Sequence, residues 1–441
     1  MDKLSLNFQE RFKGKLIFDE SILNCMDPNV KLHQETLRHP LSSSASCINV
    51  LGSMINQPLE LKDFLNNFGL NITKLIPFPS GAVVGGQSYL DEGYIVFEWI
   101  GPKLSPINEK AGGRGFQRTS IDAFLIAEIE GKITQLLIEW KFTEGKSRPL
   151  VLEKFAGNKG MERLRRYSEV LVPMRNTERF PFRFSEEKGF GLYDFSADHL
   201  YQLLRMTLLA KKTTPMQIGN LLIEDYRIIH LSHSMNSEIE ILDNKYLSHS
   251  PGFKKYGGER LYDFWVDILS EYERQKFVGG NWDVFVPKIK IEGLKEYLTE
   301  RYFCSEDEPI NINNQIKDKD AEESEIRISG KIHDKGIHPD EWHFSHLGFD
   351  YFERIITKIS EYERKRPDYV KSNIQTIGIG FTGVPYNLKR AGRKVNPNWH
   401  VKTKEGNSYR GKAFETGNLW PEHKVISVEW QEVLNWFWPK Q

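Results

Sequence analysis

The sequence predicts an α/β protein in which a mixed β-sheet is flanked by helices and followed by a smaller C-terminal α+β domain. Strand-like and helical segments alternate along the chain, an order that favours a central sheet covered by helices. An acidic segment at 305–328 has almost no large apolar residues and indicates a linker. Because 441 residues exceed one typical core, we expect two or three domains of about 150 residues each.

Single elements follow from periodicity and from breaking residues. A helical pattern at 59–70 ends near Gly69, and apolar residues at 261–272 recur with the spacing of one amphipathic helix. A further helix around Ile355 should end before Pro367. Short strands are predicted at 226–231, 283–286, 374–381 and 425–429.

A tight hairpin is predicted around Glu130 and Gly131. The flanking segments 121–129 and 133–142 are rich in β-branched and aromatic residues, and glycine tolerates the positive φ that a two-residue turn requires. Such a turn pairs position 129 with position 132 and fixes the register of the whole ladder. A loop that differed by one residue would turn one strand over relative to the other.

This register sets Asp122 directly opposite Glu139, with their Cβ atoms about 4.5–5.5 Å apart on one face. Strand alternation adds Lys141 to that face and directs the even-numbered residues from Ile138 to Phe142 toward a core on the other side. Mg²⁺ is usually held by one or two carboxylates, and an adjacent ammonium group can orient water in phosphodiester hydrolysis. A half-exposed hairpin with solvated charges is the alternative.

These residues resemble the motif of the PD-(D/E)XK nuclease superfamily, which has the restriction-endonuclease-like fold. Asp122 is similar to its aspartate, and Glu139-Trp140-Lys141 is similar to its E-x-K element. The resemblance extends to flanking blocks of a bacterial branch and covers about the first half of the chain. The blocks are 42–52, 97–99, 119–122, 138–144 and 201–210.

The resemblance implies a Mg²⁺-dependent DNA endonuclease, with Mn²⁺ able to substitute, that serves bacterial restriction or antiviral defence. It assigns catalysis to Asp122, Glu139 and Lys141, and metal binding to Asp122, Glu139 and Trp140. The implied accessory residues are Glu98, Glu144, Gln202 and Arg205. DNA is the implied partner, with a homodimer or a defence-system protein as further partners. A nuclease of repair, recombination or transposition and a non-catalytic nucleic-acid-binding module on a nuclease fold are the alternatives.

The accessory residues also have readings of their own. Glu98 ends an apolar strand-like run and either adds a carboxylate to the site or is a solvated strand end. Gln202 and Arg205 share one face of an apolar helix because their spacing is i, i+3. A guanidinium buried there without a partner would be costly, so Arg205 requires either a core carboxylate or a DNA phosphate. A basic helical stretch at 159–166 is either a phosphate-contacting face or a solvated one.

The predicted domains are a nuclease domain with a helical N-terminal part at 1–304, the linker at 305–328 and a DNA-reading or partner-binding domain at 329–441. The strongest basic patch lies at 388–412, where eight lysines and arginines accompany one acid. Interleaved aromatic residues suit phosphate contact and base stacking, although a solvated basic loop would look the same. The candidate DNA-binding residues are Lys389, Arg390, Arg393, Lys394, Lys402 and Arg410.

Composition limits the other functional classes. Lys plus Arg and Asp plus Glu both number 60, so attraction to nucleic acid must come from local patches. The three cysteines are scattered, which argues against a disulfide framework and a cysteine zinc site and suits a reducing cytoplasm. No run approaches the ~20 apolar residues that span a bilayer, so no membrane association is expected. A cluster of histidines and acids at 333–346 is either a metal site or a hydrophilic lead-in to a helix.

Overall fold

The computed structural model describes most of the chain. The described residues are 17–25, 42–79, 83–84, 87–88, 93–110, 118–143, 154–155, 157–174, 177–184, 191–196, 198–236, 239, 260–303, 349–382, 397–412 and 422–437. The predicted linker at 305–328, the histidine cluster at 333–346 and Glu144 lie outside the described residues, and so do Lys389, Arg390, Arg393 and Lys394. The predicted domain boundaries therefore stay predictions.

The described strands form two larger sheets and two short hairpins. The strands are β1 Ile72–Ile76, β2 Val83–Val84, β3 Gln87–Ser88, β4 Ile95–Trp99, β5 Ile121–Ile129, β6 Lys132–Trp140, β7 Met216–Ile218, β8 Leu221–Ile223, β9 Asp225–Ser232, β10 Phe277–Asn281, β11 Ile374–Thr382, β12 Pro397–Thr403, β13 Ser408–Lys412 and β14 Glu422–Glu429. The main sheet has the order β1-β5-β6-β9-β10, and β4 also pairs with β5. Its β6–β9 and β9–β10 pairs are parallel and its other pairs are antiparallel. The mixed sheet confirms the predicted fold class.

Helices cover both faces of the main sheet. The described α-helices are α1 Ser43–Val50, α2 Pro58–Asn66, α3 Gly157–Leu171, α4 Asp198–Lys212, α5 Leu261–Ile268, α6 Glu271–Arg274, α7 Leu294–Tyr302, α8 Phe349–Glu363, α9 Pro367–Asn373 and α10 Trp430–Phe437. Short 3-10 helices are Glu20–Cys25, Gly52–Met54, Val172–Met174, Leu192–Ser196 and Asp283–Lys288. No helix of the described segments is long and apolar enough to cross a membrane.

The hairpin has the predicted turn and register. Glu130 and Gly131 adopt φ values of 52° and 74°, which are the two positive φ angles of a type I′ turn. Position 129 pairs with 132, and the ladder continues in the same register to the pair formed by Ala123 and Ile138. The local sequence alone therefore fixes which residues of β5 and β6 face each other.

Two apolar cores lie on the two faces of the sheet. Phe124 and Leu137 belong to the core that α3, α4 and α5 cover, whereas Leu125 and Trp140 belong to the core that α1, α2 and α7 cover. All four side chains are fully buried. The alternation follows from the two-residue period of a strand, and it confirms that the residues from Ile138 to Phe142 divide between the faces as predicted.

The prediction of a single helix at 261–272 is wrong, because this segment forms the two helices α5 and α6. Leu269 has an extended backbone, with φ −75° and ψ 147°, and forms an isolated β-bridge with Phe182. Ser270 N–H then donates to the Pro181 carbonyl at 2.8 Å. Pairing with a distant segment thus overrides the helical periodicity, which carries no information about that segment.

The predicted strand at 283–286 is also wrong. These residues begin the 3-10 helix Asp283–Lys288, and the edge strand β10 lies immediately before them. The Asp283 carboxylate accepts the N–H of Ser234 at 2.8 Å, which holds the start of this helix against the end of β9. A short apolar run does not separate strand from helix by periodicity alone.

The C-terminal part has a sheet of its own. Its four strands are antiparallel in the order β13-β12-β11-β14. Helix α10 packs against β11, β14, α3 and the 3-10 helix Leu192–Ser196. Buried residues of this part, among them Phe352 and Val433, join the same apolar cluster as the α3–α4 side of the main sheet.

Candidate active site

A row of polar residues crosses four neighbouring strands of the main sheet. Glu98 and Asp122 lie between two pairs of β4 and β5, Phe97 with Ala123 and Trp99 with Ile121. The β5–β6 ladder runs to the pair of Ala123 with Ile138, and Asp122 and Glu139 are the next residues in this register. Glu139 is in turn paired with His230 on the parallel strand β9. We call these four residues the polar row. The four residues thus occupy neighbouring positions across the sheet, and the negative charges of Glu139 and Glu98 reach Asp122.

The two central carboxylates of the polar row are held differently. Glu139 Oε1 lies 2.7 Å from Lys141 Nζ, and both side chains are 6% exposed. Asp122 Oδ2 accepts the backbone N–H of Trp140 at 2.7 Å. Burial raises the pKa of Asp122, and the negative charges of Glu139 and Glu98 raise it further, whereas Lys141 and the Trp140 N–H lower it. The balance indicates a site with excess negative charge, which favours a cation.

Glu98 occupies the row in a strained backbone conformation. Its φ is 56°, a left-handed value that is uncommon for a residue other than glycine, although the register of β4 continues on both sides. The side chain is buried, and its Oε2 accepts the hydroxyl of Ser120 at 2.6 Å. Of the two readings of Glu98, the structure favours a buried carboxylate of the site over a solvated strand end.

The donor set suits a hard cation with few protein ligands. Asp122 Oδ2 is engaged by the Trp140 N–H, and Glu139 Oε1 is engaged by Lys141 Nζ. The described residues do not contain a ready cluster of three His, Cys, Asp or Glu ligands. Mg²⁺ needs no such cluster, because it is typically bound by one or two carboxylates and keeps several waters. The residues therefore fit Mg²⁺ better than a metal that requires a complete protein cage.

Trp140 can serve a metal only through its backbone. Its ring lies on the other face of the sheet, where Nε1 donates to Ser46 Oγ at 2.9 Å and the ring stacks on Trp282 at 4.9 Å between centroids. An indole offers a donor and no acceptor. The carbonyl oxygen is thus the only atom of Trp140 of a type that Mg²⁺ binds.

Arg205 contacts a core carboxylate. Its Nε and Nη2 both lie 3.2 Å from Glu109 Oε1, and Nε also donates to Thr119 Oγ1 at 2.9 Å. The sequence left two partners open for Arg205, a core carboxylate and a DNA phosphate, and the structure shows the carboxylate. Gln202 lies half-buried on the same helix α4. The accessory roles of Gln202 and Arg205 stay predictions.

His230 is a residue of the polar row that sequence reasoning missed. It is fully buried, its Nδ1 lies 3.0 Å from the Tyr262 hydroxyl, and its Nε2 has no hydrogen-bond partner among the described residues. Burial lowers the pKa of His230, and the positive charge of Lys141 lowers it further, so the ring is neutral near pH 7. The hairpin could not reveal this neighbour, because β6 and β9 are joined by a long crossover and no turn fixes their register.

Gly279 leaves room for the Tyr262 ring beside the sheet. A Cβ at Gly279, the β10 residue paired with His230, would lie 2.7 Å from the Tyr262 ring. The missing side chain lets the ring approach the sheet and bring its hydroxyl to His230. The charges of the site also act on Cys47 of α1. Burial raises the pKa of the Cys47 thiol, and the negative charges of Asp122, Glu98 and Glu139 raise it further.

Other predicted residues lie elsewhere. Lys402 lies exposed on β12, and Arg410 lies on β13, both in the C-terminal sheet. The structure thus brings together Glu98, Asp122, Glu139 and Lys141 and leaves the described part of the basic patch as a separate surface.

Comparison with known families identifies the family of the chain. The family described as restriction endonuclease associating with ARP matches residues 18–303, which hold the main sheet and the polar row. The chain belongs to this family. Its members are restriction-endonuclease-like proteins, so a nuclease function is indicated for the matched region. Neither the curated proteins nor the solved structures contain a match.

Proposed function

We propose that this chain is a Mg²⁺-dependent endodeoxyribonuclease of the PD-(D/E)XK type that acts in bacterial restriction or antiviral defence. The observation that carries the proposal is the proximity of Asp122 and Glu139, which follow the last β5–β6 pair and whose charges interact, with Lys141 Nζ 2.7 Å from Glu139 Oε1. The family adds support, because its description names restriction endonucleases. The defence role rests on the family and on the motif resemblance.

The residues of the site divide the chemistry between them. Asp122 and Glu139 would hold Mg²⁺, with Trp140 contributing its carbonyl, and the ion when bound neutralises charge that develops on the phosphate. Lys141 Nζ orients the attacking water and stabilises the developing negative charge, because it is buried against Glu139 and its charge also acts on Asp122. The Ser120 hydroxyl donates to Glu98 at the edge of the row, where Glu98 adds negative charge near Asp122.

The C-terminal sheet is proposed as a second contact with DNA. Arg410 on β13 is paired with His400 on β12. His400 and Lys402 are alternate residues of β12, so the positions of Lys402 and Arg410 share one face of the sheet. Val401, at the intervening position, is buried. The exposed Lys402 therefore belongs to a face opposite the core, a suitable place for phosphate contacts.

A partner protein is also proposed. The family description places its members in association with ARP, and we propose that this chain acts together with such a protein. Cleavage of both strands by one site of this kind would also require two copies of the chain, so a homodimer is the alternative assembly.

The proposal is tested with purified protein and four substrates: supercoiled plasmid, linear duplex, single-stranded DNA and RNA. Cleavage of DNA is expected with Mg²⁺ or Mn²⁺ and not with EDTA. Asp122→Ala, Glu139→Ala and Lys141→Ala should each abolish cleavage. Glu128→Gln is the matched control, because Glu128 lies at the far end of β5 and should leave the rate unchanged.

The outcomes separate the alternatives. Cleavage that persists in EDTA or in the Asp122→Ala protein would refute the metal site. DNA binding without cleavage under every metal condition would favour the non-catalytic binding module. A preference for branched or nicked DNA would favour a repair or recombination nuclease over a restriction enzyme.

A further inference from the structure

Three cationic side chains converge on the ring of Tyr201, beside the polar row. Arg205 Cζ lies 5.2 Å, Arg163 Cζ 5.6 Å and Lys154 Nζ 5.9 Å from the ring centroid. We call Lys154, Arg163, Arg205 and Tyr201 the Tyr201 cluster. Its cations come from three separate segments, the residues before α3, α3 itself and α4, so the convergence is a product of the tertiary fold.

The ring at the centre is fixed in place. Tyr201 is 5% exposed, and its hydroxyl lies 3.0 Å from that of Tyr167, which donates to Glu109 Oε1 at 3.2 Å. Arg163 Nη1 donates to the Lys154 carbonyl at 2.7 Å and ties α3 to the preceding segment. The cations are therefore held close to one another by a rigid support.

Arg205 and Arg163 of the cluster differ in their contacts with carboxylates. Glu109 pairs with Arg205, and its oxygens also accept the N–H of Thr119 at 2.7 Å and the Thr119 hydroxyl at 2.8 Å. Among the described residues, Arg163 forms no ion pair with a carboxylate and makes one hydrogen bond, through Nη1, out of the five N–H donors of a guanidinium. Arg163 remains partly exposed, so its donors can reach a ligand.

The cluster lies next to the proposed site of cleavage. Arg205 Nε donates to Thr119 Oγ1, and the next residue, Ser120, donates to Glu98 of the polar row. Asp122 follows two positions later on β5. Contacts through Thr119 and Ser120 thus connect the Tyr201 cluster with the polar row.

We propose that the Tyr201 cluster is a binding site for a backbone phosphate of the nucleic acid, close to the bond that is cut. Guanidinium groups bind phosphate through paired N–H donors, and a partly buried position strengthens such bonds. The bound phosphate fixes the position of the strand along the polar row. The inference rests on the proposed function, since it deepens the account of the same substrate.

The test measures binding without cleavage. Binding of a short fluorescent duplex is followed in EDTA from 50 to 300 mM salt for the wild type, Arg163→Gln and Lys154→Met. Each phosphate contact contributes roughly −0.9 to the slope of log affinity against log salt, which is about eightfold in affinity at 0.1 M salt. Each substitution should therefore weaken binding about eightfold and make the slope shallower by about one.

Arg179→Ala is the matched control, because Arg179 is exposed and lies outside the cluster. It should change neither the affinity nor the slope by a comparable amount. Thermal unfolding identifies variants that lose their fold, and Arg163→Lys, which keeps the charge, should retain most of the slope. Equal slopes in the wild type and in both folded variants would overturn the proposal.

Two further measurements keep the proposal separate from the proposed function. If Arg163→Gln weakens binding although the wild type cuts no nucleic acid, the phosphate site stands and the nuclease proposal fails. If the wild type cuts DNA and the variants bind normally, the phosphate site fails and the nuclease proposal stands. Competition by millimolar inorganic phosphate that equals competition by duplex phosphate would overturn the assignment to a nucleic-acid backbone.

Discussion

The substitution Asp122→Asn should stabilise the metal-free protein while it abolishes cleavage. Asp122 lies between Glu139 and Glu98 in the polar row, and burial together with these charges raises its pKa. Asparagine keeps an oxygen that can accept the Trp140 N–H, now bonded at 2.7 Å, and it carries no charge. The substitution therefore removes the repulsion and preserves the hydrogen bond.

The size of the effect follows from the register. Carboxylates on paired residues lie about 5 Å apart, and two unit charges at this separation repel by roughly 3 kcal/mol at an effective dielectric constant near 20. The Lys141 ammonium, 2.7 Å from Glu139, offsets part of this repulsion. We expect a gain of about 1–2 kcal/mol in the free energy of unfolding, and a rise of a few degrees in Tm.

The assay is thermal unfolding in EDTA at pH 7, with Glu128→Gln as the control for loss of an acid from β5. The difference between Asp122→Asn and the wild type should shrink as the pH falls. A carboxyl whose folded pKa is raised contributes stability that is fully present below its unfolded pKa, about 3.9, and is lost as the pH rises through the folded pKa. If Asp122→Asn is less stable than the wild type at pH 7 while Glu128→Gln is equally stable, the carboxylates do not repel one another as proposed.

Three further predictions concern other parts of the fold. Lys141→Met should destabilise the metal-free protein by about 3–5 kcal/mol, because it leaves the buried Glu139 carboxylate unpaired, and a second substitution, Glu139→Gln, should recover most of the loss in chemical denaturation. If the second substitution does not restore stability, Lys141 stabilises the protein through its packing and not through its charge. Gly279→Ala should lower stability by about 1–3 kcal/mol, since the new Cβ would lie 2.7 Å from the Tyr262 ring, and an unchanged melting curve would contradict that close approach. Limited proteolysis should cut first at 305–325, where mass spectrometry of the fragments locates the site; a first cut elsewhere would displace the predicted linker.

The part of the site that the sequence predicted is the part that local chemistry determines. The Glu130-Gly131 turn fixes the β5–β6 register, so the proximity of Asp122 and Glu139 follows from neighbouring residues alone. Strand alternation then places Lys141 beside them and Trp140 in the opposite core. Each of these inferences needs only short-range geometry.

The remainder depends on contacts between distant segments. His230 joins the polar row through the parallel pairing of β9 with β6, for which the sequence offers no turn to count from. The Glu109 partner of Arg205 is 96 positions away and lies in a segment without a periodic pattern. The break at Leu269 likewise comes from a bridge to Phe182. Tertiary pairing of this kind is not encoded in the periodicity of either segment.

The most direct test of the central claim is the rate of single-turnover plasmid cleavage as a function of Mg²⁺ concentration for the wild type, Asp122→Asn, Glu139→Gln and Lys141→Met. The loss of an acid should weaken the capture of Mg²⁺, so any residual rate in the first two variants should appear only at much higher Mg²⁺ concentrations. Lys141→Met should reach its maximal rate at the wild-type Mg²⁺ concentration, but that rate should be lower by two or more orders of magnitude, or roughly 10²–10⁴-fold. Cleavage by Asp122→Asn at the wild-type rate under limiting Mg²⁺ would contradict the assignment of the site.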